Sequence, residues 1–145
     1  MPALTPRQIT AYKRSRTRDE ARAKVVAELS RRGYLVPSVE GSTGLLTVAT
    51  RKGQKFRVAV SGQAAGKNAW LTRTRAIDPD LYYVCIYMPP SKTGDLFFIF
   101  NQAEHEKGVE RYLAKYGTNQ NKTGGGFGWK DALRFQEKWC TLPGP

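Results

Sequence analysis

The chain of 145 residues is poor in the side chains that most small-domain chemistry draws on. It has two cysteines, Cys85 and Cys140, one histidine, His105, and two methionines. Two thiols without framework spacing argue against a disulfide scaffold and predict buried, reduced cysteines. Two cysteines and one histidine, scattered along the chain, are too few for a structural zinc site. No apolar run approaches the roughly 20 residues of a membrane-spanning helix. The N-terminus lacks the apolar stretch of a secretory signal. Acidic residues are scarce as well, 12 Asp and Glu against 24 Lys and Arg, for a net charge of +12. The expected protein is cytoplasmic and has no membrane contact.

What is present suffices for one folded domain. Hydrophobic residues make up 40% of the chain, with three Trp, seven Tyr and six Phe, enough to build a core at this length. The positive charge is unevenly spread. Residues 1–32 carry nine basic and three acidic side chains, residues 33–101 eight and four, and the remainder seven and five. A polyanion is the natural partner, because Lys and Arg that neutralise phosphates release condensed counterions. DNA or RNA is therefore the expected ligand, with an acidic protein as the other candidate.

Thr5-Pro6 has the cap and first-turn chemistry of a helix start, and predicts a short basic helix over residues 6–14. Thr17-Arg18-Asp19-Glu20 reads as a capping box opening a second helix, with Ala21, Val25, Val26 and Leu29 as its apolar stripe and Gly33 just past its end. The two helices run together or bend near Ser15. Residues 34–36 form a short strand that Pro37 weakens or places at an edge. Residues 44–50 and 55–62 form a hairpin around Arg51-Lys52-Gly53-Gln54, and residues 69–75 a further strand. Residues 81–88 and 95–100 are apolar enough for buried central strands. Asn101-x-x-Glu104 starts a helix over 102–115. The glycine-rich stretch 117–128 is a long loop, and 129–139 an amphipathic helix. The sum is an α/β (α+β) domain with a central mixed five- to six-stranded sheet flanked by helices.

In the second hairpin strand Phe56, Val58 and Val60 alternate with Arg57, Ala59 and Ser61. This hairpin, with the helix ending in Arg31-Arg32-Gly33-Tyr34, Trp70-Leu71, the two apolar strands and the Gly/Trp-rich tail, resembles the PD-(D/E)XK (restriction-endonuclease-like) nuclease superfamily, in particular its small bacterial members. The likeness runs from about residue 18 to the end and implies a restriction-endonuclease-like core. It divides the chain into a basic N-terminal helical extension, 1–16, and one nuclease-like domain, 17–145. It also implies a metal-binding Asp at Gly44, Glu or Gln at Ala59 and Lys at Ser61. None of the three residue types is present, and Mg²⁺ sites need carboxylate oxygens. The resemblance thus implies the scaffold with no catalytic residue and no cofactor.

Two further readings follow. In one, Arg51, Lys52, Lys55, Arg57, Lys67, Arg73 and Arg75 gather around the vacated cleft and hold nucleic-acid phosphates with no opposing carboxylate. In the other, cleavage persists with Mg or Mn on migrated groups, Glu40 first, with Glu20, Glu28, Lys55 and Lys67 nearby. A regulatory protein-interaction module of the same fold is a third possibility. His105, between Glu104 and Glu106, is expected on the surface. Tyr34, Tyr82, Tyr83 and Tyr87 are expected to pack in the core rather than stack on bases. The Gly124–Gly128 segment lacks the Lys and Ser/Thr of a Walker loop and is expected to let Phe127 and Trp129 pack onto the domain.

Overall fold

The computed structural model describes residues 3–41, 43–117 and 125–145. Helix α1 runs unbroken from Pro6 to Arg31. Thr5 and Gln8 form its capping box, each side chain meeting the other's backbone N–H. The expected second start at Thr17 is not used. Its hydroxyl donates back to the Lys13 carbonyl at 3.0 Å, so the two expected helices are one. At the far end Glu28 accepts from Arg31 at 2.6 Å and Arg32 at 2.9 Å, and those bonds hold its carboxyl below the usual range. Gly33, at φ +98°, then turns the chain into β1.

The main sheet has five strands, β1 (Leu35–Val39), β2 (Leu46–Ala49), β3 (Lys55–Gln63), β5 (Leu81–Tyr87) and β6 (Leu96–Asn101), side by side in that order. β3 and β5 are parallel and every other pair is antiparallel, which gives the expected α+β class with a mixed sheet. Pro37 does lie within β1, at the sheet edge, where a missing N–H breaks no internal ladder. The strand over Trp70–Thr72, β4, is shorter than expected and leaves the main sheet. It pairs instead with β7 (Gly125–Phe127), inside the stretch read as a loop. The rest of that stretch, 118–124, lies outside the described residues. Helix α2 spans Gln102–Tyr116, capped by Asn101 and Glu104 as expected. The amphipathic helix over 129–139 is broken. α3 covers only Trp129–Ala132, followed by single 3₁₀ turns at Leu133–Phe135 and Trp139–Thr141. Between them Gln136 makes a bridge to Phe98, and Glu137 takes φ +55°.

Strand alternation sorts the core into two layers. One face of the sheet presents Val48, Phe56, Val58, Val84, Ile86 and Ile99 to Ala21, Val25 and Leu29 of α1. The other presents Tyr83, Cys85, Phe98 and Phe100 to Trp70, Phe127 and Ala132. Phe127 stacks on Phe100 with centroids 4.2 Å apart, and Trp129 meets Trp70 at 4.6 Å, the packing expected of the tail. Tyr34 and Tyr83 are buried, while Tyr82 and Tyr87 are half-buried. Of the two thiols Cys85 is buried, with burial pushing its pKa up, but Cys140 is exposed. Among the described residues no helix is long and apolar enough to cross a membrane.

α1 reaches the sheet closest at Gly62, where an added Cβ would stand 2.5 Å from the Ala21 Cβ. Neither backbone is free to retreat. Gly62→Ala is expected to destabilise the protein by about 1–3 kcal/mol, read as a lower urea midpoint at unchanged slope. Unchanged stability would mean that α1 can shift on the sheet.

Candidate functional site

α1 runs antiparallel to β3, because Ala21 meets Gly62 near the end of the strand and Tyr34 packs on Phe56 near its start. Only the second half of α1 is seated. Ala21 is its first buried residue, and residues 6–20 are exposed apart from the half-buried Ser15 and Thr17. At 1.5 Å per residue that unpacked half extends roughly 22 Å beyond the core. The buried stripe Ala21, Val25, Leu29, followed backwards at helical spacing, passes through Arg18, Arg14, Ala11 and Arg7. The face that is apolar over the sheet is thus arginine where the sheet ends. The sequence reading placed the charge in this segment but not its alignment with the core stripe. The 3- and 4-residue spacing was the available signal.

The seven cations expected around one cleft are distributed differently. Arg51 and Lys52 lie in the turn before β3, where Arg51 sits against Gly33 at the C-terminal end of α1. Lys67 follows the opposite end of β3, and the nine-residue strand separates the two by roughly 26 Å. Lys55 is exposed at the start of β3. Arg73 is exposed beyond β4, its carbonyl accepting from the Tyr83 hydroxyl at 3.3 Å. Arg57 is not a free cation. Its guanidinium is ion-paired with Asp78 and stands 3.9 Å from Glu40. The expectation of no opposing carboxylate therefore fails, because the crossover from β3 to β5 returns Asp78 to the start of β5, beside Arg57. No local spacing announces that contact.

The positions matched to a nuclease signature do not share one side of the sheet. Ala59 and Ser61 lie on the face opposite α1; Ala59 packs in the aromatic layer, and Ser61 donates to the Leu71 carbonyl at 2.9 Å. Gly44 faces α1, and a Cβ there would overlap the Arg22 guanidinium. Glu40, the relocated candidate, accepts from the Thr43 hydroxyl at 2.8 Å. It lines a cavity of about 240 Å³ with Thr47, Lys55, Phe56, Arg57 and Asp80. Among the described residues no three His, Cys, Asp or Glu side chains are grouped so as to hold a metal ion.

Arg75 is the one expected cation held in place without a carboxylate. Gln102, the first residue of α2, donates to the Arg75 and Ala76 carbonyls at 3.1 and 2.8 Å, and Arg75 itself donates to the Thr43 carbonyl at 3.4 Å. His105, expected at the surface, is buried beside it. Its ring stacks on Tyr83 at 3.9 Å and its Nε2 lies 2.7 Å from the Thr72 hydroxyl. Helix periodicity explains the error. His105 shares a face with Gly108 and Val109, while its flanking glutamates point outward.

Burial, with Arg75 nearby, lowers the His105 pKa from 6.5 to about 4. Between those values the unfolded chain binds the proton and the folded one does not, so stability is full above the higher value and falls as pH drops toward the lower. Equilibrium unfolding from pH 7 to 4 should show a loss of roughly 3 kcal/mol from this group. That contribution to the pH slope should vanish in His105→Gln. An unaltered slope in the variant would place the acid sensitivity elsewhere.

The Arg57 pair gives a second expectation. Arg57→Ala leaves Asp78 and Glu40 without their cation and should cost roughly 1–2 kcal/mol. Asp78→Asn in that background should restore part of it, as a double-mutant cycle by chemical denaturation would reveal.

Compared with known proteins, the chain matches no family model, no curated protein and no solved structure.

Proposed function

We propose that this protein binds nucleic acid, DNA or RNA, through the arginine stripe on the projecting half of α1, and that it does so without cleaving it. One observation carries the reading. The core-facing stripe of the helix continues as Arg7, Arg14 and Arg18 where there is no core to face. An exposed helix gains nothing from like charges at four-residue spacing, which repel by a few tenths of a kcal/mol per pair. A polyanion laid along the stripe reverses that sign, since each neutralised phosphate releases counterions. The ligand in this reading is the phosphate backbone, which fixes affinity without reading sequence.

The reading needs no cofactor; Mg or Mn would enter only if cleavage persisted on migrated groups. Glu40 is a poor centre for that, being shared with Thr43 and facing Arg57. A restriction-endonuclease-like ancestry stays within the proposal, supported by the succession of α1, the hairpin β2–β3 and β5 parallel to β3. So does a cytoplasmic location, where the exposed thiol of Cys140 stays reduced.

Gel shifts with single- and double-stranded DNA and RNA, over a range of salt, test the proposal. Arg14→Glu/Arg18→Glu should weaken binding at least tenfold and flatten the log affinity–log salt slope by about 2. Lys138→Glu, an exposed position in the C-terminal segment and off α1, should change neither. Equal losses in both variants, or no retention of any nucleic acid at low salt, would refute it.

A further inference from the structure

One turn past the stripe, two arginines converge on the bend between β1 and β2. Arg22 reaches it from α1 and overlies Gly44, whose φ of +70° and missing Cβ leave room for the guanidinium. Arg75 reaches it from the segment after β4 and touches the Thr43 carbonyl. Thr43 and Gly44 are adjacent, so the two guanidinium groups lie within roughly 10 Å of one another. Both have a buried Nε that meets no hydrogen-bond acceptor among the described residues. Among the described residues neither forms an ion pair, whereas Arg18, Arg31, Arg32, Arg57 and Arg111 all do. Burial and the neighbouring Arg18 act against the charge on Arg22, and Asp19 partly offsets them.

Two partly buried guanidinium groups are thus held at one bend with donors to spare and no ion pair of their own, the carboxylate at the bend, Glu40, being bonded to the Thr43 hydroxyl and facing Arg57. A native fold seldom leaves such donors unmet, and a small rotation of either side chain would present its fork to an acceptor at the bend. The acceptor must be anionic, because it has to offset two positive charges. It must also offer several oxygens, because each fork donates more than once.

We infer that the Thr43–Gly44 bend is a phosphate-docking point, with Arg22 and Arg75 as its donors, where the strand lying along α1 reaches the body of the domain. This rests on the nucleic-acid reading above and adds a defined contact to it. Arg22 is the next step of the stripe after Arg18. The site therefore marks where a strand following Arg14 and Arg18 would leave the helix. Gly44 is then needed for function as well as for the bend, because a side chain there would displace Arg22.

The experiment has two arms, both on the full chain. In the first, salt-dependent affinity for a nucleic acid retained by the wild type is compared with Arg22→Gln/Arg75→Gln. The slope should flatten by about 2 and affinity at moderate salt should fall at least tenfold, with Arg22→Lys/Arg75→Lys intermediate because it keeps charge and loses the fork. An unchanged slope would overturn the site and leave the stripe intact. In the second arm, ¹⁵N spectra of wild-type arginine Nε–H groups are followed during titration with inorganic phosphate. The Arg22 and Arg75 signals should shift together and saturate, while those of Arg31 and Arg111 stay put. This arm stands even if the variants fail to fold or no nucleic acid is retained. Its failure overturns the docking point, whereas failure of nucleic-acid retention alone overturns only the wider function.

Discussion

The contact between α1 and β3 sets the rest of the molecule. Ala21 over Gly62 brings the helix against the strand at a distance that a single methyl would disturb. Val25 and Leu29, fully buried behind it, each contribute about 1.5–3 kcal/mol relative to exposure. Those three residues fix the direction of a helix with 26 residues. With no proline between Pro6 and Pro37 and no glycine before Gly33, the seated half aims the unseated half. The position of each arginine on the projecting segment then follows from helical geometry, with contacts only to neighbours on the same helix, such as Arg18 to Ser15 and Asp19.

The same sheet separates charge that looks continuous in the sequence. β3 is nine residues long and parallel to β5, so cations before it and after it end on opposite rims. The crossover must return along the sheet to start β5, and in returning it lays Asp78 against Arg57. A basic strand becomes an internal ion pair bordered by Glu40. The carboxylates are few, 12 in all, and several are used in this way. Glu28 holds Arg31 and Arg32, Asp95 holds Lys24 at 3.0 Å, and Asp131 holds Arg111 at 2.6 Å. Among the described cations without such a partner are Arg7 and Arg14 on the outer half of α1 and the two arginines, Arg22 and Arg75, at the Thr43–Gly44 bend.

Features set by neighbours in the chain were legible beforehand. The apolar stripe of α1, the alternation of Phe56 and Val58, the buried strands and the Asn101 cap all depend on residues a few positions apart. Long-range partners were not legible. Trp70–Thr72 has strand composition in either sheet, and only its pairing with Gly125–Phe127 removes it from the main one. The breakdown of the last helix follows from Gln136 bridging Phe98, a contact 38 positions away in the chain. His105 was misplaced because its two acidic neighbours were read as its environment, when a helix points them elsewhere. The carried-over positions Gly44, Ala59 and Ser61 were separated because Gly44 lies in the bend before β2, at φ +70°, under Arg22 of α1, while Ala59 and Ser61 share the β3 face away from α1; a positional match across a hairpin does not constrain that.

Arginine on a core-facing stripe bears on why the helix is so long. Had the outer half of α1 served only to extend the seated half, alanine or leucine at positions 7, 14 and 18 would have continued the stripe. They would have had helix propensity at least as high and no mutual repulsion. Apolar residues there would also have exposed a sticky face beyond the sheet. Glutamate or alternating charge would have kept the helix soluble with less repulsion. Arginine alone among these choices leaves a stripe that is unfavourable by itself and is relieved by an anion. Its fork survives partial burial better than an ammonium does, since guanidinium is the more weakly hydrated group. That property is what lets the stripe continue onto the domain at Arg22, where the helix begins to be covered and a lysine would lose more of its hydration. The projecting half and the bend at Gly44 are in this sense one surface, with its rigid part supplied by the helix and its anchored end by the sheet.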